Sequence, residues 1–303
     1  MKRLLITGAG GFLGRHCLEL LANGNNEVHA ISRESGIHHE TNHVSWHGCD
    51  LLNPGASTKL LSRLRPSHLL HLAWYAVPGK FWEAPVNKLW IQASAELMRS
   101  FTENGGERFV GAGSCAEYGR HAGECQESST PLKPDSFYGE CKLAFQKHLE
   151  ELNEQSGVSI AWGRVFFLYG PFEAPSRVVP YVIRSLLSGR RALCSSGSQI
   201  LDFLHVRDVA SAFVTLLSED ARGPLNIGSG CPIRLGDILL EIGRYTSATE
   251  LIQFGARPSS EPAERVWANI QRITSETSWR PSVSLERGIR ETVDWWKQSS
   301  DSL

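Results

Sequence analysis

No stretch of the 303-residue chain reaches the ~18–20 uncharged apolar residues that cross a bilayer. The N-terminus Met1-Lys2-Arg3-Leu4-Leu5-Ile6-Thr7-Gly8 runs into a glycine loop before a signal-peptide core forms, so the expected compartment is the cytoplasm. A basic excess is missing as well. The chain sets 31 lysines and arginines against 32 acidic residues for a net charge of −1, and so lacks the cations that dense phosphate contact with a nucleic acid needs. The seven cysteines contain no Cys-x-x-Cys pair, and their odd number and dispersal read as reduced thiols. His38, His39, His43 and His47 lie close in sequence, but no cysteine or carboxylate set with ligand spacing accompanies them. They read as a solvated loop, and no metal is expected.

With 41% hydrophobic and 21% charged residues and no internal repeat, the chain is an ordinary soluble polypeptide, long enough for one large α/β domain and an appended lobe. Its first half alternates short aliphatic runs with longer amphipathic ones, the pattern of a parallel sheet wound through helices. Strands are expected at Arg3–Thr7, Glu27–Ser32, Val44–Gly48, His68–Leu72, Arg108–Gly111 and Ser159–Val165. Helices are expected at Phe12–Ala22, Ala56–Leu64, Val86–Glu103 and Tyr138–Gln155. The fold class is therefore α/β, a doubly wound parallel sheet with a smaller C-terminal lobe. Residues 1–170 and 198–228 are assigned to the first domain, and 171–197 and 229–303 to the lobe.

Between the first strand and first helix stands Gly8-Ala9-Gly10-Gly11-Phe12-Leu13-Gly14. In that position Gly8 permits the tight turn, Gly11 lets backbone approach a pyrophosphate, and Gly14 lets helix pack on strand, at a helix N-terminus that attracts anions. The second strand ends in Ser32-Arg33, where selectivity for NAD calls for an acidic residue. A hydroxyl and a guanidinium suit a 2′-phosphate, which favours NADP(H) and leaves NAD open. Asp50 and Leu51, after the third strand, are placed to meet the adenine end.

Tyr138 and Lys142 are four residues apart on one helix face. An ammonium beside a phenol favours the phenolate and brings the tyrosine nearer to proton exchange at neutral pH. Ser114, at the end of the fifth strand, can hydrogen-bond the oxygen that Tyr138 protonates or deprotonates.

These residues carry a resemblance. The chain resembles the extended short-chain dehydrogenase/reductases, the NAD(P)-dependent sugar epimerase/dehydratase family, over essentially its whole length. The likeness rests on Thr7 to Gly14, Asp50-Leu51, His71-Leu72-Ala73, Ser114 with Tyr118-Gly119, Tyr138 with Lys142, Arg164 with Gly170-Pro171, Asp202 to Val206 with Asp208-Val209-Ala210, and Asn226 to Gly230. It implies a Rossmann-type cofactor domain with a C-terminal substrate-binding lobe, a Ser114–Tyr138–Lys142 mechanism, a nucleoside-diphosphate sugar as partner, and a homodimer built through the helices of residues 86–103 and 138–155. It also extends the cofactor-binding set to Gly10, Phe12, Leu13, Leu72, Ala73, Trp74 and Phe166, beside Tyr138 and Lys142. The sugar-facing set becomes Tyr75, Lys80, Cys115 and Phe167, beside Ser114.

The departures from the family pattern narrow the chemistry. Where the 4,6-dehydratases resemble Thr-Asp-Glu-x-Tyr-Gly, this chain has Ser114-Cys115-Ala116, without the acid and base that loss of water needs. The cysteine and histidine of the family's C3/C5 epimerising members are also missing. What remains is a 4-ketoreductase, favoured by Ser32-Arg33, or a 4-epimerase that keeps its NAD. A cofactor-binding regulatory protein is a third reading. Two expected diphosphate contacts are absent, at Phe167 and Leu201, which leaves Arg177 and Arg257 as candidates. The run Trp74 to Trp82 is aromatic for a loop at the active-site edge, and reads either as a platform for the substrate or as a plug between loop and lobe.

Overall fold

A computed structural model describes residues 2–22, 24–33, 43–120, 123–258 and 264–300. His38 and His39 lie outside these residues. Among those described, no cluster of His, Cys, Asp and Glu forms that could hold a metal, and no helix is long and apolar enough to cross a membrane.

In chain order the elements are β1 (Arg3–Thr7), α1 (Phe12–Ala22), β2 (Glu27–Ser32), β3 (Val44–Gly48), α2 (Ala56–Leu64), β4 (His68–His71), α3 (Val86–Glu103), β5 (Arg108–Ser114), β6 (Gly123–Cys125), α4 (Phe137–Ser156), β7 (Ser159–Val165) and β8 (Phe167–Tyr169). There follow α5 (Val178–Leu187), β9 (Ala192–Leu193), β10 (Ile200–Leu201), β11 (Phe203–His205), α6 (Val206–Ser218), β12 (Gly223–Ile227), β13 (Ile233–Arg234), α7 (Leu235–Thr246), β14 (Ile252–Gln253), β15 (Arg265–Ala268), α8 (Gln271–Glu276) and α9 (Leu285–Ser300). Seven strands form one sheet in the order β12-β7-β5-β4-β1-β2-β3, and every pair in it is parallel. The order reverses between β1 and β4, the switch point where such a sheet opens a ligand crevice.

Helices α1 and α6 cover one face through Leu18, Leu21, Ala210, Phe213 and Leu217. The other face buries Leu61 of α2, Leu97 and Phe101 of α3, and Phe145 and Leu149 of α4. A separate core joins α5, α7 and α9 through Val182, Ile183, Leu239, Ile242, Ile289 and Val293. It lies beside a four-stranded sheet in the order β13-β10-β15-β6. The two cores exchange segments. Ile273 and Trp279, far along the C-terminal part, belong to the first core, while Cys125 of β6 and Leu201 of β10 belong to the second.

Strand β5 runs three residues past the Gly111 expected from sequence, reaching Ser114 against Val165 of β7. The glycines look like a turn, yet they are strand positions over which Trp162 lies. A Cβ on Gly111 would stand 2.5 Å from that indole and one on Gly113 2.3 Å from its Nε1.

Two buried histidines contribute to the pH response of this frame. His71 is enclosed between Thr7 Oγ1 at 2.8 Å and Ser94 Oγ at 2.9 Å, and burial, with the nearby charge of Lys142, pushes it down to about 3. Burial, with Arg207, pushes His205 down to about 4. The unfolded chain therefore takes up these protons first as pH falls. Stability is full above about pH 6.5 and declines as pH falls toward the folded values, by about 2 kcal/mol per histidine at about pH 5. Urea unfolding of the wild type and His71→Gln at about pH 7.5 and 5 measures this directly: the variant should lose less on acidification, and equal losses would contradict the assignment.

Candidate active site

The glycine turn is built as its spacing predicts. Gly8 has φ +68°, and a Cβ there would strike the Ala73 amide nitrogen at 2.8 Å; a Cβ on Gly14 would lie 2.1 Å from Gly8 O. The Gly11 N–H closes the turn on Gly8 O at 3.0 Å. Space is open above Gly10, where a Cβ would meet nothing within 4 Å. The turn thus offers glycine-lined backbone and a helix N-terminus at the sheet's switch point, which fits a dinucleotide pyrophosphate. Phe12 and Leu13 begin α1, and Leu13 packs on the first core.

The remaining cofactor candidates line the same edge. Ser32 ends β2, and exposed Arg33 follows it. Asp50 Oδ1 accepts the Leu52 N–H at 3.0 Å, and Leu51 is buried. Leu72 and Ala73 sit against Gly8, with the Ala73 N–H donating to Thr7 Oγ1 at 3.1 Å. Phe166 is buried, with its ring 6.3 Å from that of Tyr118.

The candidate proton-handling groups lie at the end of β5 and the start of α4. Ser136 caps α4, accepting the Gly139 N–H at 3.2 Å, which sets Tyr138 in the first turn and Lys142 one turn on. Lys142 is 4% exposed, and its Nζ donates to Ala112 O at 2.8 Å. Burial pushes it down to about 7, opposed by the charge of Glu117. Burial pushes the Tyr138 phenol up, and its hydrogen bond with Ser114 acts in the opposite sense. Ser114 therefore touches the phenol that the sequence pairs with it, and burial of that phenol favours its protonated form.

Sequence reasoning missed what holds this corner. Glu117 is fully buried and ion-paired to Arg164 at 2.6 Å. Its Oε1 also accepts the Ser114 N–H at 2.9 Å and Trp162 Nε1–H at 3.0 Å. Arg164 further donates to Tyr118 OH at 3.0 Å and Gln146 Oε1 at 2.7 Å. Tyr118 in turn donates to Asn226 Oδ1 at 2.8 Å. The available signal was an acid beside the serine, where the dehydratase comparison directed attention to Cys115 and Ala116.

The sugar-facing candidates divide. Cys115, half-buried, follows Ser114 in the short helical turn Cys115–Glu117. Arg177 is close enough for its charge to favour the Tyr138 phenolate, and its Nε stands 3.7 Å from Glu173. Arg257 instead lies over the Tyr181 ring at 4.5 Å. Phe167 packs on Phe203 at 5.6 Å. Tyr75 is half-buried and Lys80 exposed, both in the aromatic loop.

This geometry has a known relation. The NAD dependent epimerase/dehydratase family model matches residues 4–228, and the chain belongs to that family. UDP-glucuronic acid decarboxylase 1 of Xenopus tropicalis is 24% identical over 98% of this chain and 72% of its own. The dTDP-glucose 4,6-dehydratase of Salmonella typhimurium is 27% identical over 97% of this chain and 92% of its own. UDP-glucose 4-epimerase from Thermotoga maritima shares the fold with a TM-score of 0.89 at 21% identity, over 98% and 99% of the two chains. MoeE5, solved with UDP-glucuronic acid and NAD, gives a TM-score of 0.85 at 27% identity over the same shares.

If the Glu117–Arg164 pair fixes the corner, Glu117→Gln leaves a buried guanidinium without its counter-charge. The expected cost is about 3–5 kcal/mol in chemical denaturation, and a loss below about 1 kcal/mol would show that Arg164 does not depend on it.

Proposed function

We propose that the protein reduces the 4-keto group of a nucleoside-diphosphate 4-keto-6-deoxyhexose, with NADPH as reductant. The observation that carries this reading is the Ser114–Tyr138–Lys142 corner, with a phenol that burial pushes toward its protonated form and no carboxylate at positions 115 and 116. A protonated Tyr138 is the form needed to donate a proton to the oxygen of a ketone under reduction. When bound, the dihydronicotinamide supplies the hydride that reaches C4. Tyr138 gives its phenolic proton to the developing alkoxide, and Ser114 donates a hydrogen bond to the same oxygen. Lys142 then stabilises the phenolate left behind, and solvent protons restore the acid. Gly8 to Gly14 would hold the pyrophosphate, Ser32 and Arg33 the 2′-phosphate, and Arg177 the anionic or hydroxylated part of the sugar nucleotide.

The sugar-nucleotide class draws support from the named relatives, whose substrates carry UDP or dTDP. The second reading is a 4-epimerase with tightly held NAD, favoured by the NAD present in the 27%-identical MoeE5 structure. Intact Tyr138 and Lys142 speak against a non-catalytic regulator. The reductase reading carries with it the cytoplasmic location and a homodimer through α3 and α4.

Two substitutions test it. Tyr138→Phe should lower kcat by about 10²–10⁴-fold with the NADPH Kd unchanged, and a normal rate would refute the mechanism. Arg33→Ala should weaken NADPH by about 10–100-fold, the loss of charge-assisted hydrogen bonds to a phosphate, and leave NADH almost unaffected; equal losses would remove the case for NADP.

A further inference from the structure

The aromatic run after β4 makes contacts beyond those that a sugar platform or a plug calls for. Its two halves reach the two members of the proton-handling pair. Trp74 turns its ring face to Lys142, whose Nζ stands 3.9 Å from the ring centroid. At the other end Trp82 O accepts the Tyr138 N–H at 2.8 Å, and Phe81 and Trp82 meet the Tyr138 ring edge-to-face at 4.8 and 5.9 Å. Between them stands Asn87, fully buried at the start of α3. Its Oδ1 accepts Trp74 Nε1–H at 2.9 Å, and its Nδ2 donates to Phe81 O at 2.7 Å and Ala84 O at 3.0 Å. Trp90 stacks on Trp74 at 6.1 Å. The indole is thus held at its N–H edge by Asn87 and presents a face to the ammonium.

We propose that Trp74 is a positioning residue for Lys142, its π face holding the ammonium in place and charged, with Asn87 fixing the indole.

The chemistry follows from what an ammonium can do in a nearly dry site. Of its three N–H donors, one goes to Ala112 O and one faces the indole, which leaves one for a hydroxyl of a bound ligand. Desolvation works against the charge, and a tryptophan face, the best of the aromatic rings for this, restores part of what water supplied. The charged and titratable groups around Lys142 are few: Glu117 from the turn after β5, His71 from β4, which is neutral, and Tyr138 from its own helix. Glu117 is shared with Arg164 and Trp162, while the carbonyl of Ala112 and the face of Trp74 meet the ammonium directly.

The inference rests on Lys142 acting as the reductase reading assigns, but its test uses neither cofactor nor substrate and so is decided separately from any turnover assay. Site-directed incorporation of mono-, di- and trifluorotryptophan at position 74 drains the π face while keeping the indole's shape and its N–H. In protein carrying 13C-lysine, the Lys142 ε-carbon resonance, assigned by its loss in Lys142→Arg, gives the ammonium midpoint. We expect the midpoint to fall stepwise with each fluorine, by about one unit in total, with Trp74→Leu at the low end and Trp74→Phe between it and the wild type. A midpoint indifferent to fluorination, or one that rises in Trp74→Leu, overturns the proposal.

Discussion

The contact between Glu117 and Arg164 is the point on which the catalytic corner depends. Burying both charges carries a desolvation cost that only a fully bonded arrangement offsets, and every arm of this pair is used. Glu117 takes up the backbone N–H of Ser114 and the indole N–H of Trp162. Arg164 reaches Tyr118 in one direction and Gln146, one turn beyond Lys142 on α4, in the other. Through Tyr118 the chain continues to Asn226 of β12, which donates to Cys125 O of β6 at 2.8 Å. One ion pair therefore sets the serine turn, the helix that carries the phenol and ammonium, and the strand leading to the smaller sheet. Such a pair adds little net stability over an apolar filling, and its contribution is geometrical.

The second theme is dryness. The same removal of water raises the phenol of Tyr138 and lowers the ammonium of Lys142. For a reduction the first effect is useful, since the phenol must hold its proton until an oxygen demands it. The second effect works against the charge that is to receive the phenolate, and groups around Lys142 oppose it: the carboxylate of Glu117, the carbonyl of Ala112 and the face of Trp74. His71, next to Lys142, is kept neutral by burial between two hydroxyls. The site thus avoids placing a second cation beside the first.

Much of the fold was legible because the signal was local. β1, α1, β2, β3, α2 and α3 occupy their expected residues, since each is an unbroken run of one periodicity bounded by turn residues. β5 was misread at its end because Gly111 and Gly113 answer to a neighbour 50 residues away in sequence, Trp162, and no local rule sees that. The short strands β6 and β8 to β11 are two to three residues each, too short to show a period. In the site, Tyr138, Lys142, Ser114 and the glycine turn announce themselves by spacing. Glu117 and Trp74 do not. Their importance arises from long-range partners, Arg164 for one and Lys142 and Asn87 for the other, which only the folded chain brings together.

The central claim is that this corner delivers a proton to a sugar ketone while NADPH is consumed. The most direct measurement is the fall in nicotinamide absorbance when the purified protein meets NADPH, and separately NADH, with nucleoside-diphosphate 4-keto-6-deoxyhexoses generated in place. The account predicts substrate-dependent oxidation that favours NADPH. No oxidation with any of these substrates, together with NAD released from the protein on denaturation, would contradict it and favour the 4-epimerase reading.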